Sequence, residues 1–375
     1  MSGVRKPRVA VVFGGRSSEH AVSCVSAGSV LRAIDRDVYD VVPVGISPEG
    51  RWVLAADDPD RMAILDGALP EVDAAQAPVV LAGDPTAIAP DIARAGSITA
   101  GLGHVDVVFP VLHGPFGEDG TIQGLFELAD LPYVGSGVLA SAVSMDKAYM
   151  KVVLAGAGLP VGPYVVVPPR RWVEDADGVR KQIVALGWPV FVKPARGGSS
   201  VGISKVHGAD ELDAAMALAQ SWDPKVIVEA AIIGREIECG VLEGEALPDG
   251  TPTAPQASVT AEIRVVGDRE FYDFEAKYLE DSTELTVPAE LPEDVANEVR
   301  RLSVAAFEAL SCEGLARVDF FVGPDGAIVL NEVNTMPGFT PVSMFPSMWA
   351  ASGITYPNLI DRLLRTALRR RRGLR

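Results

Sequence analysis

Residues 314–338, GLARVDFFVGPDGAIVLNEVNTMPG, set two carboxylates, an amide and a guanidinium at spacings that suit metal and anion chemistry. Two apolar, strand-like runs flank Asp325–Gly326, a dipeptide that favours a tight two-residue hairpin turn. With those residues central in the turn, Asp319 lies opposite Glu332 and Arg317 opposite Asn334. Side chains alternate faces along a strand, so these four share one face, together with Phe321 and Leu330. Two carboxylates close together on a partly buried face repel one another unless a cation lies between them. Asp319, Glu332 and Asn334 would then supply the oxygen ligands that Mg²⁺ takes. The plainer alternative is a solvated face of cross-strand charge pairs. Register decides between them, because a slip of one residue scatters the set.

A second chemical segment is PVFVKPARGGSSVGISKV, residues 189–206. Lys193 stands at the end of a strand, and the glycines after it let backbone N–H groups approach phosphate oxygens, with Ser199 and Ser200 as hydroxyl donors. The Walker pattern is absent, and a plain hairpin loop is the bland alternative. Gly198-Ser199-Ser200-Val201-Gly202 also fits the nucleophile elbow of α/β-hydrolases. That chemistry needs an acid and then a histidine further along, and after Ser200 the only histidine is His207. A serine hydrolase therefore lacks its general base. Lys147 in SMDKAYMK and Lys277 in FYDFEAKYLEDS are further cations in suggestive company.

The elements that must position these groups alternate between strand and helix. Val9–Phe13 is a strand-like run ending at Gly14–Gly15, followed by a helical stretch from Ser18 to Ala33. Tyr39–Ile46 and Asp106–Leu112 are further strand-like runs, the last ending in the glycine-rich HGPFGEDG. This alternation implies a parallel sheet, with ligands at the carboxyl ends of its strands. Residues 50–103 read as an Ala/Pro/Asp-rich insertion with little chemistry. A second unit begins near Ser136–Gly137 with a helix containing Met145, Tyr149, Val152 and Val153. Strands at Tyr164–Val167, Val190–Lys193 and Val226–Glu229 follow, with a helix across Ala209–Gln220. A charged, Pro- and Gly-rich segment at about 245–285 reads as a lid. Then come a long helix, Pro292–Ser311, the hairpin, and an amphipathic helix carrying Leu359, Ile360, Leu363, Leu364, Ala367 and Leu368.

The 375-residue chain is long enough for two or three domains. A net charge of −17 argues against a nucleic-acid or other polyanionic partner. Arg369 to Arg372 and Arg375 are the exception, read here as cations offsetting a helix dipole. No apolar run reaches the roughly 18 residues of a membrane span. The N-terminus shows no signal-peptide pattern, which points to the cytoplasm. Cys24, Cys239 and Cys312 are widely spaced and read as buried thiols, and the four histidines lack metal spacing.

Taken together, GGRSSEH (14–20), LHGPFGEDGTIQG (112–124), YVGSGVLASAVSMDK (133–147), VKPARGGSSVG (192–202), FYDFEAKY (271–278), ARVDFF (316–321) and NEVNTMPGFTPVSMFP (331–346) resemble, in the same order, the motifs of D-alanine–D-alanine ligases. The resemblance spans about residues 8–365. It implies an α/β protein, α+β in its C-terminal half, with a three-domain ATP-grasp fold. The implied division is an N-terminal parallel-sheet domain at 1–137, a central subdomain at 138–235 and a C-terminal subdomain at 236–375.

On this resemblance Lys147, Lys193 and Lys277 meet ATP phosphates beneath a loop carrying Ser199 and Ser200. Glu229 and Glu236 match the acids near adenine and ribose, although Ala230 stands where the family often has lysine. Glu19 matches the carboxylate receiving the first D-alanine's ammonium, with His113 nearby. Arg317 and Ser343, with Met344 beside them, match the groups at the second D-alanine's carboxylate, where Arg suits bidentate pairing. Gly338 offers an N–H to the tetrahedral oxyanion. Asp319, Glu332 and Asn334 match the ligands of Mg²⁺ (Mn²⁺ as a substitute), with two ions implied, the same three residues that the hairpin singles out. A homodimer is also implied.

The implied reaction joins two D-alanines through a D-alanyl phosphate for peptidoglycan synthesis. Tyr278, in a hydrogen-bonded set with Glu19 and Ser199, favours the dipeptide over the D-alanine–D-lactate depsipeptide of related ligases. A non-catalytic nucleotide-binding regulator on the same scaffold would not need all these groups. A dehydrogenase lacks its G-x-G-x-x-G after the first strand.

Overall fold

The computed structural model describes residues 5–370 apart from 65–67, 81–103, 248–250, 252 and 266–282. Lys277 and Tyr278 thus lie outside the described residues. Three sheets carry the described residues.

The first sheet has the order β3-β2-β1-β4. Its strands are β1 (Arg8–Gly14), β2 (Asp40–Ile46), β3 (Trp52–Leu54) and β4 (Val107–Val111), and helices α1 (His20–Ala33) and α2 (Thr121–Leu128) follow β1 and β4. The pairs β1–β2 and β1–β4 are parallel, as the βαβ alternation requires, and β3 adds an antiparallel edge. Both faces of β1 are buried, which is why it reads as an unbroken apolar run. The stretch read as an insertion contributes more than expected: β3 extends the sheet, and Met62, Val72 and Val79 are buried in the cores on its two faces.

Between the first and second sheets the single expected helix is two, α3 (Val138–Met145) and α4 (Lys147–Gly156). Asp146 separates them. Its extended backbone ends α3, while its carboxylate caps α4 by accepting from the Ala148 and Tyr149 N–H groups at 3.2 and 3.3 Å. Tyr149, Val152 and Val153 lie on the exposed side of α4, and Met150, Lys151 and Leu154 on its buried side.

The second sheet holds β5 (Tyr164–Val167), then α5 (Arg171–Glu174), α6 (Ala176–Val184), β6 (Val190–Pro194), β7 (Ser204–Val206), α7 (Leu212–Trp222) and β8 (Val226–Ala230). Its order is β5-β8-β6-β7, antiparallel throughout, and α6 and α7 cover it with Val179, Ile183, Leu212 and Met216.

The third sheet, β11-β10-β9-β12-β13, is built from β9 (Arg235–Leu242), β10 (Gln256–Val265), β11 (Thr283–Thr286), β12 (Leu315–Val322) and β13 (Ile328–Asn334). The long helix α8 (Glu293–Ala309) precedes the β12–β13 hairpin, and α9 (Met344–Ala351) and α10 (Tyr356–Leu368) follow it. Part of the segment read as a lid is therefore sheet: β10 is paired on both sides, and Ala261 and Ile263 are buried against Met344 and Met348. Helices α3 and α4 share a core with this third sheet through Ala140, Met150 and Leu154. The apolar stripe of α10 is buried as the spacing predicts, and it packs with β1, β4 and α1 of the first sheet.

The arginine after α10 is a clamp. Arg370 donates to the carbonyls of Tyr133 and Gly135 at 3.0 and 2.6 Å, pairs with Glu313 and lies 4.1 Å over the Tyr133 ring. Arg371, Arg372 and Arg375 lie outside the described residues.

Candidate active site

The hairpin reaches the expected pairing by a different route. Gly323 N–H donates to Ala327 O at 2.8 Å, so the loop has three residues, 324–326, with Gly326 at φ +81° rather than a two-residue turn. The ladder near the turn then pairs Phe320 with Leu330 and Phe321 with Val329. A bulge at Asn331 inserts one residue, and below it Asp319 faces Glu332 and Arg317 faces Asn334. The extra turn residue and the bulge compensate each other, so the four polar partners are paired as expected. Leu330 is not on their face: it is fully buried on the opposite side with Phe320 and Val333, because the bulge falls between it and Glu332.

Arg317 is forked onto Asp319 at 2.8 and 2.7 Å and reaches Glu238 on β9 at 3.2 Å. Despite burial, these carboxylates hold its pKa well above the usual arginine range. Asn334 donates its amide to the same Asp319 carboxylate at 2.9 Å. Glu332 meets Lys147, the first residue of α4, at 3.4 Å.

Opposite this face lie the lysines. Glu229 on β8 accepts from Lys193 on β6 at 2.6 Å and pairs with Lys151 on α4 at 3.0 Å. Burial alone would raise the Glu229 carboxyl, but Lys193 and Lys151 hold it down at about 2. Lys151 also donates to the carbonyl of Asn331, the bulged residue, at 3.4 Å. Burial pushes the Lys151 ammonium down, whereas Glu229 keeps that of Lys193 raised in spite of burial. Lys147 donates to the Gly197 carbonyl at 3.0 Å, at the start of the glycine–serine loop.

That loop meets the first sheet at Glu19, at the start of α1, where Ser199 Oγ donates to the Glu19 carboxylate. Ser199 and Ser200 have φ of +49° and +58°, a left-handed backbone that non-glycine residues adopt at a cost. A Cβ on Gly114 or Gly198 would stand 2.4 or 2.5 Å from Glu19 Oε2, so a side chain at either position would displace the Glu19 carboxylate; Gly114 also has φ +72°. His113 is buried, its Nδ1 3.1 Å from the Met336 carbonyl and its Nε2 3.2 Å from Ser26 Oγ. Burial lowers its pKa, which leaves the imidazole neutral. Ser343 stands at the N-terminus of α9, its Oγ accepting from the Thr340 N–H at 2.9 Å. The Met344 side chain is buried with Met348 and Ile263, so the group it can offer a carboxylate is its backbone.

Every described residue that the sequence singled out for the site, Ser200, Glu236 and Gly338 included, lines one cavity of about 850 Å³. Lys151, Glu238 and Glu118 are among the lining groups that escaped the sequence reading. Lys151 lies one helical turn beyond Lys147, on the same face of α4, and this spacing could have found it. Glu238 lies two residues beyond Glu236, on the same face of β9. Glu118 sits inside the GEDG block, with nothing in its spacing to mark it. Burial, and next the charge of Glu19, raise its carboxyl to about 8.

Two antiparallel sheets facing across a cleft of lysines and carboxylates, with a parallel-sheet domain closing the end, define an ATP-grasp protein. Solved structures agree. The VanG D-Ala:D-Ser ligase from Enterococcus faecalis superposes with a TM-score of 0.81 at 34% identity, over 97% of this chain and 100% of that one. The D-alanine–D-alanine ligase from Coxiella burnetii gives a TM-score of 0.78 at 34% identity, over 97% and 94%. Family models for the D-ala D-ala ligase N-terminus and C-terminus match residues 8–136 and 153–365. The D-alanine–D-alanine ligase of Streptomyces griseus is 59% identical over 99% of this chain and 95% of its own length. That of Kineococcus radiotolerans is 59% identical over the whole of both. The chain belongs to the D-alanine–D-alanine ligase family.

Proposed function

We propose that this cleft carries out the family's reaction with the residue roles that follow. The enzyme is an ATP-dependent ligase that joins two D-alanines into D-alanyl-D-alanine for peptidoglycan precursor synthesis. The supporting observation is the approach of Lys147 to Glu332 at 3.4 Å, where the lysine-bearing and carboxylate-bearing sides of the cleft meet. A nucleotide's phosphates fit between them, and the ligase requires a divalent metal with them. Asp319 and Glu332 offer carboxylate oxygens, and Asn334 an amide oxygen once its side chain turns, a donor set that fits Mg²⁺, or Mn²⁺ in its place. We assign two ions. Bound there, the metal neutralises charge on the transferring phosphoryl group.

Glu19 holds the ammonium of the first D-alanine, and His113 bounds its pocket. A carboxylate oxygen of that D-alanine attacks the γ-phosphorus, the bond to the bridging oxygen breaks, and ADP departs. Lys147 and Lys193 steady the phosphates, Ser200 covers them, and Glu229 and Glu236 face the nucleoside. Such a transfer asks for positioning and charge neutralisation rather than covalent help. The free amine of the second D-alanine, its carboxylate held by Arg317, Ser343 and the Met344 N–H, then attacks the acyl carbon. The carbon–oxygen bond to phosphate breaks, and the nitrogen sheds a proton to become the peptide N–H. Gly338 N–H and Arg317 stabilise the tetrahedral oxyanion.

Lys277 and Tyr278 carry over as a phosphate ligand and as the third member of the Glu19–Ser199 set. The described residues hold no helix long and apolar enough to cross a membrane. We place the enzyme in the cytoplasm as a homodimer, in three domains divided near residues 137 and 235.

The test is ADP release by the purified protein with ATP, Mg²⁺ and D-alanine, with L-alanine or added D-lactate in parallel. ADP formed in step with D-alanyl-D-alanine, and none with L-alanine, is the expected result. Mainly D-alanyl-D-lactate would overturn the role given to Tyr278, and Tyr278→Phe should raise D-lactate use relative to D-alanine.

A further inference from the structure

The loop 336–339 carries the Gly338 N–H, and it is held in an unusual way. Glu118 accepts the Met336 N–H at 3.1 Å, and His113 Nδ1 donates to the Met336 carbonyl at 3.1 Å. Ser26 Oγ accepts the Phe339 N–H at 3.2 Å, and Tyr356 donates to the Phe339 carbonyl at 2.8 Å. Four side chains from three separate elements thus take both backbone polar groups of the residues on either side of Pro337–Gly338. Proline has no N–H, and no hydrogen bond among the described residues takes up the Gly338 N–H. The loop is fixed at both ends, these bonds leave the Gly338 N–H unused, and Gly338 lines the cleft.

The side chains also fix one another. Ser26 Oγ accepts from Phe339 and so turns its own hydrogen to His113 Nε2 at 3.2 Å, which sets the tautomer with hydrogen on Nδ1. The second Glu118 oxygen accepts the Gly114 N–H at 2.8 Å, tying the loop after β4, which carries His113, to the loop that carries Gly338.

We propose that Glu118 and His113 are positioning residues for the ligation step: by clamping the Met336 peptide from both sides, they aim the Gly338 N–H at the oxyanion. The clamp rests on the oxyanion role given to Gly338. It separates the two half-reactions, because phosphoryl transfer does not use the Gly338 N–H and collapse of the tetrahedral intermediate does.

The experiment uses Glu118→Gln, which keeps the shape and one acceptor oxygen, and His113→Asn, whose amide can still donate to Met336. Dipeptide kcat is measured beside positional exchange of ¹⁸O in labelled ATP, which reports reversible acyl phosphate formation alone. A misplacement on the ångström scale can cost about 10²-fold. Glu118→Gln is expected to lower dipeptide kcat by about 10–100-fold on that scale. Isotope exchange and KM for ATP should be little changed. His113→Asn should stay closer to the parent than His113→Ala. Equal loss in both half-reactions, or no loss of dipeptide kcat, overturns the clamp. Gly338→Ala, whose Cβ would stand 2.7 Å from Ser343 Oγ, is run in parallel. If it slows ligation while Glu118→Gln does not, the clamp alone is wrong; if it leaves ligation intact, the role of Gly338 is wrong and the clamp falls with it.

Discussion

The two sides of the cleft are charged in opposite senses, and each holds a counter-charge within it. On one, Lys151 and Lys193 pair with the carboxylate of Glu229, and Lys147 lies one helical turn before Lys151. On the other, Asp319, Glu238 and Glu332 gather near the single guanidinium of Arg317. A buried cluster of one sign is costly without its counter-charge. Glu229 and Arg317 thus reduce the like-charge cost of each side, while an excess remains on each that suits a different ligand. The lysine side suits phosphates and the carboxylate side a divalent cation, and on the proposed roles the two ligands would meet where Lys147 approaches Glu332.

Breaking the carboxylate side should have the largest effect. Asp319→Asn keeps the shape but removes a proposed metal ligand and the fork partner of Arg317, so kcat for ligation should fall on the order of 10²–10³-fold or more. Steady-state kinetics at saturating ATP and Mg²⁺ would check this, and an activity within a few-fold of the parent would remove Asp319 from the metal site.

The lysines should divide next. Lys193→Met should raise KM for ATP by about tenfold or more, since one charge-assisted contact is worth about 1.5–3 kcal/mol. Lys151→Met should act first on stability, lowering it by about 1–3 kcal/mol, because Glu229 loses one of its two partners inside the protein. Urea unfolding beside ATP titration separates the two. If both variants behave alike, the lysines do not differ in role.

The smallest effect is a pH response. The folded Glu229 carboxyl lies at about 2 against an ordinary 4.5, so its contribution to stability is complete above 4.5 and is lost as pH falls towards 2. Glu118 behaves oppositely: at about 8 against 4.5, it contributes below 4.5, and that contribution is lost as pH rises through 8. Melting temperatures of Glu229→Gln should therefore be flatter than the parent's on the acid side, and those of Glu118→Gln flatter between pH 4.5 and 8. Parallel curves for parent and variants would remove both assignments.

The carboxylate side was legible in the sequence because a hairpin is local: its turn residues and two-residue alternation carry the pairing in one segment. Even so, two unseen irregularities, the three-residue loop and the bulge at Asn331, had to compensate each other, and Leu330 changed face as a result. The lysine side was half legible. Lys147 and Lys193 stood in marked segments, but Lys151 becomes a partner of Glu229 only when α4 is laid across β8, a packing that no local pattern records. The clamp on Met336 was not legible at all. It joins residues 113, 118 and 336, and nothing in the spacing of Glu118 distinguishes it from a surface acid. The start of α4 was missed for a local reason, since Asp146 in SMDK is an N-cap inside an otherwise continuous helical pattern.

The central claim, that phosphate and cation meet between these two sides, is tested most directly by electron paramagnetic resonance of Mn²⁺ titrated into the protein with ADP present. The parent should take up Mn²⁺ only with ADP. Asp319→Asn should lose that uptake while ADP affinity without metal is kept, and Lys193→Met should weaken ADP and Mn²⁺ together. Uptake by Asp319→Asn equal to that of the parent would contradict the account, because the cation would then sit somewhere other than on the β12–β13 hairpin.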